Sequence, residues 1–175
     1  MRTIRVGLDE GSIRNAISQL ESYRAGIGRK SVMMLERLGS IGVDTANKNK
    51  GVYGQYIVSE KSLVEFKSGT SKRMNVIIQQ TGYVTVKWLN SAGEQTAKVS
   101  PLMMTEYGSG QYALPGHRGT FPGQKHAFQE YWTWRDLDGV EHRSSGFIPT
   151  RPGFKASIEI RNNAQRVARE VFSIG

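Results

Sequence analysis

Two short segments decide the fold of this chain, EYGSG at residues 106–110 and PTRPGF at residues 149–154. In the first, an acidic and an aromatic residue precede two glycines, which accept backbone angles that other residues disfavour. In the second, Pro152 suits the first position of a helix. The segment between them is rich in glycine, proline and aromatic residues. This layout predicts a small framework that presents a large arm.

Downstream of these segments, a C-terminal helix is predicted from Pro152 to about Phe172. Its apolar residues fall on one broad face, and its charged residues lie mostly on the other, as a helix that covers a core requires. The apolar face comprises Phe154, Ile158, Ile160, Ala164, Val167, Ala168 and Val171.

A long N-terminal helix is predicted from Ser12 to Ala46, because apolar residues recur every seven positions from Ile13 to Ile41. Asp9 or Ser12 could cap its start. Gly26 and Gly28 each weaken a helix by up to about 1 kcal/mol relative to alanine, so we expect a kink or break there. The helix packs on its own sheet, on a neighbouring subunit, or on both.

Between the helices, a period of two predicts β-strands. Thr81-Gly82 is a plausible tight connection between the strands on either side of it, and Asp138-Gly139 is a hairpin signal. The predicted class is α+β, an antiparallel sheet flanked by the two helices in a single domain of residues 1–175. The candidate strands are 62–66, 76–78, 83–89, 97–99, 131–134 and 140–143; a short turn or helix starts at Pro101 and runs to Glu106.

Residues 108–125 hold five glycines and two prolines, so we expect a long loop or arm without regular structure. Such a segment is disordered, covers a pocket, or becomes ordered on a neighbouring subunit. Its apolar anchors favour the third interpretation, because a solvated loop does not need them. These anchors, in and just after the arm, are Tyr112, Leu114, Phe121 and Phe128.

Composition bounds the partners without naming one. The chain has 175 residues, a formal net charge of +9 and no cysteine. Disulfides and thiolate metal sites are therefore excluded. No signal-peptide pattern is present, so we expect that no signal peptide exports the protein. No apolar run of about 18 residues is present either, so we expect a soluble protein that does not contact a membrane. The positive charge suits DNA, RNA or an acidic protein surface.

Catalytic patterns are weak. His117, His126 and His142 lack the spacing of a helical metal site. Glu106 and Glu141 would form a carboxylate pair only if the fold brought them together. We therefore predict a protein that is not an enzyme and that has no cofactor and no bound metal.

The order of these features resembles the tailed-bacteriophage tail-component family, variously called tail-completion, head–tail connector or minor capsid proteins. Residues 106–110 match the family's acidic-aromatic-Gly-[Ser/Thr]-Gly motif, which closes the last strand before the loop. Pro149, Arg151, Pro152 and Phe154 match its Pro-x-Arg-Pro-Phe motif, with Gly153 as an extra residue. The resemblance spans residues 12–172, but residues 44–46 read Asp-Thr-Ala where many members have Asp-Thr-Gly.

The resemblance implies a structural protein of the virion neck or tail, assembled in the bacterial host cytoplasm. Such proteins form rings, typically hexameric, that join the DNA-filled head to the tail. Implied partners are further copies of the chain, adjoining head-completion or connector proteins, tail-tube or tail-terminator proteins, and packaged DNA contacted without sequence preference in the bore. The expected structural and interface residues are Glu106, Tyr107, Gly108, Gly110, Tyr112, Phe121, Arg151, Pro152 and Phe154.

Particular roles are expected for four of these residues. Glu106 would accept hydrogen bonds from loop N–H groups, and Arg151 would donate an ion pair between elements or subunits. Pro152 would start the last helix and Phe154 would anchor it.

Two other functions remain open at this point. One is a small basic nucleic-acid-binding module. Trp132 and Trp134 are two positions apart and share one face of a strand, so in such a module they could stack on bases. Burial of these rings is favoured, because each covers a large apolar area. The other is a metal-dependent hydrolase that uses the histidines.

Overall fold

The computed structural model describes residues 9–65, 71–114 and 130–173. The α+β class is confirmed, with long helices at both ends and antiparallel strands between them. The helices are α1 (Glu10–Lys48), α2 (Pro101–Tyr107) and α3 (Pro152–Ser173). The strands are β1 (Ile57–Glu65), β2 (Lys72–Gln80), β3 (Val84–Asn90), β4 (Gly93–Val99), β5 (Trp132–Arg135) and β6 (Glu141–Ser144). Short 3₁₀ turns lie at Gly51–Tyr56 and Gly110–Tyr112.

Helix α1 is capped by Asp9, whose carboxylate accepts the Ser12 N–H at 2.8 Å. The helix runs without a break through Gly26 and Gly28, so the predicted break is wrong. Each glycine costs a helix about 1 kcal/mol. Cooperative hydrogen bonding in the helical turns on both sides offsets this cost.

Helices α1 and α3 pack antiparallel, and their contact forms the core. Leu38 on α1 meets Val167 and Val171 on α3. Arg37 pairs with Glu170 at 3.4 Å across the same contact. The partly buried side chains around this core are Met34, Ile41, Ile160 and Ala164.

Two glycines on α1 allow its neighbours to approach. A Cβ at Gly42 would lie 2.6 Å from Ile160 Cδ1 on α3, and one at Gly39 would lie 2.8 Å from Met74 Cγ on β2. Helix α1 therefore packs closely against both α3 and the β1–β2 hairpin. Lys61 on β1 adds an ion pair with Glu36 at 2.5 Å.

The strands form two sheets rather than one. Among the described residues, strands β1 and β2 pair only with each other, and the second sheet has the order β4-β3-β5-β6. The expected short connection at Thr81-Gly82 does join β2 to β3, but the two strands belong to different sheets, so the hairpin expected there is wrong. The Thr81 N–H donates to the Tyr56 carbonyl at 2.9 Å, which extends the pairing of β2 with β1 just beyond Gln80 and Ile57.

The hairpin predicted around Asp138-Gly139 is confirmed, with Trp132 opposite Ser144 and Arg135 opposite Glu141. Trp132 and Trp134 share a face and are half-buried, whereas Tyr131 is exposed. In the residues that the structure describes, no helix is both long and apolar enough to cross a membrane.

Candidate functional site

The two motif segments, EYGSG at residues 106–110 and PTRPGF at residues 149–154, meet in space. We call the meeting residues, 105–112 and 145–154, the motif framework. Ser109 and Phe147 exchange backbone hydrogen bonds of 3.0 and 3.2 Å, and the Gln111 N–H donates to the Ser145 carbonyl at 3.2 Å. The Ser109 hydroxyl also accepts the Phe147 N–H at 2.9 Å. A short ladder therefore joins chain segments about 40 residues apart.

Three glycines permit this close approach. Gly108, Gly110 and Gly146 have positive φ angles of 77°, 59° and 106°. A Cβ at Gly110 would lie 2.5 Å from the Ser145 carbonyl oxygen, and one at Gly146 would overlap the Ser109 carbonyl oxygen. Any side chain at these positions would separate the two segments.

Glu106 caps α3 from another element. Its carboxylate accepts the Gly153 N–H at 2.8 Å and the Phe154 N–H at 2.9 Å. The N–H groups of the first turn of a helix have no partner within the helix, and the helix dipole favours negative charge there. Glu106 was expected to accept from loop N–H groups at a strand end. Instead it lies on α2, and its donors belong to the first turn of α3.

Around this cap, Thr105 is fully buried, and its carbonyl accepts the N–H groups of Thr150 and Arg151, each at 3.0 Å. Arg151 has φ of 57°, the only positive φ of a non-glycine residue in the described ranges. These two bonds hold the residue in that backbone conformation just before α3 begins. Pro152 is the first residue of α3 and is buried.

The Arg151 side chain makes no ion pair within the described residues. Its guanidinium carbon lies 3.7 Å above the centre of the Phe154 ring, and its Nε is buried without a hydrogen-bond partner there. Phe154 was expected on the apolar face of the last helix but is 45% exposed. It therefore supports Arg151 at the surface rather than filling the core.

The framework is also tied to the end of α1. The Thr150 hydroxyl donates to the Asn49 carbonyl at 2.6 Å, and Lys155 donates to the Asn49 side chain at 2.8 Å. The Tyr53 ring lies 5.2 Å from the Phe147 ring. Partial burial there raises the pKa of Tyr53. One cluster of residues thus fixes the relative positions of all three helices.

Several large apolar side chains of these segments remain in contact with water. Tyr107 ends α2 and is half-buried. Contiguous exposed apolar surface is uncommon on monomers and marks contact sites. Phe121, and the arm from residue 115 to 125, lie outside the described residues. The exposed side chains at or beside the framework are Val52, Tyr112, Ile148 and Phe154.

The histidines offer no metal site among the residues described. His117 and His126 lie outside those ranges, and no group of three metal-ligating side chains is found within them. His142 Nε2 lies 2.7 Å from Asp136 Oδ2, and its ring stacks on Trp134 at 4.6 Å. The hydrogen bond from His142 is the main cause that lowers the pKa of Asp136, assisted by the Val140 N–H.

The imagined carboxylate pair is not formed. Glu106 caps α3, whereas Glu141 lies on β6 opposite Arg135, with 3.9 Å between the charged groups. Each carboxylate thus has a structural partner of its own.

Comparisons of the chain with family models, with curated proteins and with solved structures find no match. The family suggestion therefore depends on the motif resemblance alone. Sequence reasoning also missed three framework residues, Thr105, Gly146 and Phe147. The signal for the last two was a Ser-Ser-Gly-Phe run between a strand and a helix start.

Proposed function

We propose that this protein is a structural virion protein that forms a ring at the neck of a tailed bacteriophage and joins head to tail. One observation carries the proposal: both motifs behind the resemblance assemble into one framework, and apolar side chains of that framework remain exposed. A subunit that packs against neighbours has such side chains, because they become buried on assembly.

A ring follows when one surface of a subunit contacts a different surface of the next and the rotation closes. Val52, Ile148 and Phe154 beside the framework are proposed to supply one surface, and the arm at residues 108–125, which includes Tyr112, is proposed to supply its partner. The ring is proposed to be a hexamer between head-completion or connector proteins and tail-tube or tail-terminator proteins. The net charge of +9 suits a bore through which DNA passes, since lysine and arginine contact phosphates without reading sequence.

The experiment is a nonsense mutation of the gene in the phage or prophage that carries it. Filled heads and finished tails should accumulate unjoined, and the wild-type chain supplied from a plasmid should restore infectious particles. A plasmid copy lacking residues 116–124 should fail to restore them. Normal yields of joined particles from the nonsense mutant would exclude the neck function.

A nucleic-acid-binding module is the second candidate, and a feature of α3 favours it. Arg161 and Arg169 are exposed, lie on one side of the helix and make no ion pair with a described residue. This function predicts that the logarithm of the DNA affinity falls linearly with the logarithm of salt concentration. Replacing both arginines by glutamine would reduce that slope, by roughly one unit per lost phosphate contact. A slope unchanged by the double substitution would exclude this face as a DNA site.

A further inference from the structure

The first half of α1 carries an exposed apolar stripe. At 100° per residue, Leu20 and Leu38 point in the same direction, being five full turns apart. The stripe is thus the continuation of the face that α3 covers further along α1. Its residues are 41 to 56% exposed. The residues of this α1 stripe are Ile13, Ile17, Leu20, Tyr23 and Ile27.

The described part of α3 does not reach the stripe. Arg37 pairs with Glu170, so the described end of α3 at Ser173 lies about one turn further along, near Met34. Residues 10–32 of α1 continue past this point over roughly 35 Å at about 1.5 Å per residue. Between residues 10 and 30, Ala16 is the single buried residue.

The spacing of the stripe is symmetric about Leu20. Ile17 and Tyr23 lie three positions to either side of it, and Ile13 and Ile27 lie seven positions to either side. A twofold axis beside Leu20 therefore places a second, antiparallel α1 with Ile13 at the level of Ile27 and Ile17 at the level of Tyr23. An isologous contact requires such self-complementarity.

The charges favour the same direction of pairing. Asp9 and Glu10 stand at one end of the stripe, and Arg29 and Lys30 stand at the other. An antiparallel alignment brings the acidic end of each helix to the level of the basic end of its partner. A parallel alignment would bring like charges together, which is unfavourable.

We propose that the α1 stripe binds the α1 stripe of a second copy of this chain, antiparallel and about a twofold axis at Leu20. This inference goes beyond the proposed neck function and does not rest on it. A twofold contact closes at two copies, so it cannot build a ring alone. It is a separate contact that pairs two chains, or two rings, through their projecting helices.

The first test adds one charge at the axis. In Leu20→Glu, two carboxylates would meet in the contact. We expect the variant to sediment as a smaller species than the parent chain at the same concentration. The matched control is Ser22→Glu, which adds the same charge 200° around the helix at an exposed position and should leave sedimentation unchanged. Leu20 is exposed, so circular dichroism should be the same for all three proteins.

The second test determines whether the two α1 helices pair antiparallel. It applies whether the protein is a dimer or a larger ring. The chain has no cysteine, so each introduced thiol is unique. Leu20→Cys should form a disulfide-linked dimer on mild oxidation. Ile13→Cys and Ile27→Cys should cross-link to each other when mixed but not to themselves, since like positions lie roughly 21 Å apart along the axis. A monomeric parent chain, or Ile13→Cys cross-linking to itself, would overturn the proposal.

Discussion

At the scale of single residues, the motif framework depends on backbone groups that pass within contact distance of each other. Gly110 and Gly146 face each other across the ladder between Ser109 and Phe147. Glu106 then uses both carboxylate oxygens on the first turn of α3. The first turn of the last helix is consequently fixed by a residue that lies 47 positions before Gly153.

We predict that Gly146→Ala destabilises the fold far more than Gly139→Ala. Both glycines have positive φ, where alanine is strained by about 1–2 kcal/mol. A Cβ at Gly139 meets nothing within 4 Å, whereas one at Gly146 overlaps a carbonyl oxygen. Overpacking adds about 1–3 kcal/mol. Urea unfolding measures the difference, and equal loss in the two variants would show that the close approach does not matter.

Glu106→Gln should lower the free energy of unfolding by about 1 kcal/mol, the usual value of a helix cap. The amide retains one acceptor oxygen but loses the charge that suits the helix N-terminus. Glu60→Gln on β1 is the control, since this exposed carboxylate should be replaceable within about 0.5 kcal/mol. Guanidinium unfolding measures the free energy of unfolding of both variants. A Glu106→Gln variant as stable as the parent chain would show that this cap does not stabilise the fold.

Asp136 should make the β5–β6 hairpin sensitive to acid. Its pKa is lowered in the fold, chiefly by the hydrogen bond from His142. The stabilisation is therefore present above the ordinary aspartate pKa of about 3.9 and is lost as pH falls through the lower folded value.

Asp136→Asn keeps the acceptor oxygen that caps the turn but cannot ionise. The parent chain should melt at a higher temperature than this variant at neutral pH, and the difference should vanish in strong acid. A difference that does not depend on pH would show that the charge of Asp136 is irrelevant.

The structural roles of individual residues were only partly predictable from the sequence. Gly108 and Gly110 stood out because they flank Ser109 in a short motif. Gly146 did not stand out, because the group that leaves no room for a Cβ there is the carbonyl of Ser109, 37 positions earlier in the chain. Phe154 has an apolar face position by helical periodicity, yet it is 45% exposed and its ring lies against the Arg151 guanidinium.

At the scale of elements, α1 has two halves with different surroundings. Its second half packs against both α3 and the β1–β2 hairpin, where Gly39 and Gly42 admit Met74 and Ile160. In the first half, no atom lies within 4 Å of a Cβ at Gly26 or Gly28. Glycine therefore allows close packing in the second half of α1 and only weakens the helix in the first half.

The glycines of α1 should accordingly respond in opposite ways to alanine. Gly26→Ala and Gly28→Ala should each stabilise the helix by about 1 kcal/mol and slow amide hydrogen exchange around residues 20–30. Gly42→Ala should destabilise the fold by about 1–3 kcal/mol, because its Cβ would lie 2.6 Å from Ile160 Cδ1. Faster exchange in the first two variants would contradict the unbroken helix.

Periodicity predicted the existence and type of the elements well, because it records which face of an element is buried. It did not predict which strands pair. Thr81-Gly82 has the local chemistry of a hairpin, but β3 pairs with β4 and β5 rather than with β2, so this connection joins two sheets.

At the scale of the whole molecule, the described residues form a small core and leave many large apolar side chains exposed, among them those of the α1 stripe and those beside the motif framework. Such a distribution suits a subunit better than a self-contained monomer. The framework and the resemblance of its motifs support the neck ring, whereas the stripe supports contact between two copies.

Cryo-electron microscopy of the source virion is the most direct test of the proposed neck function. The account predicts a symmetric ring between the head portal and the tail tube into which this chain fits, with the motif framework at the contact between adjacent subunits. Complete, infectious particles that lack this chain at the neck would contradict it.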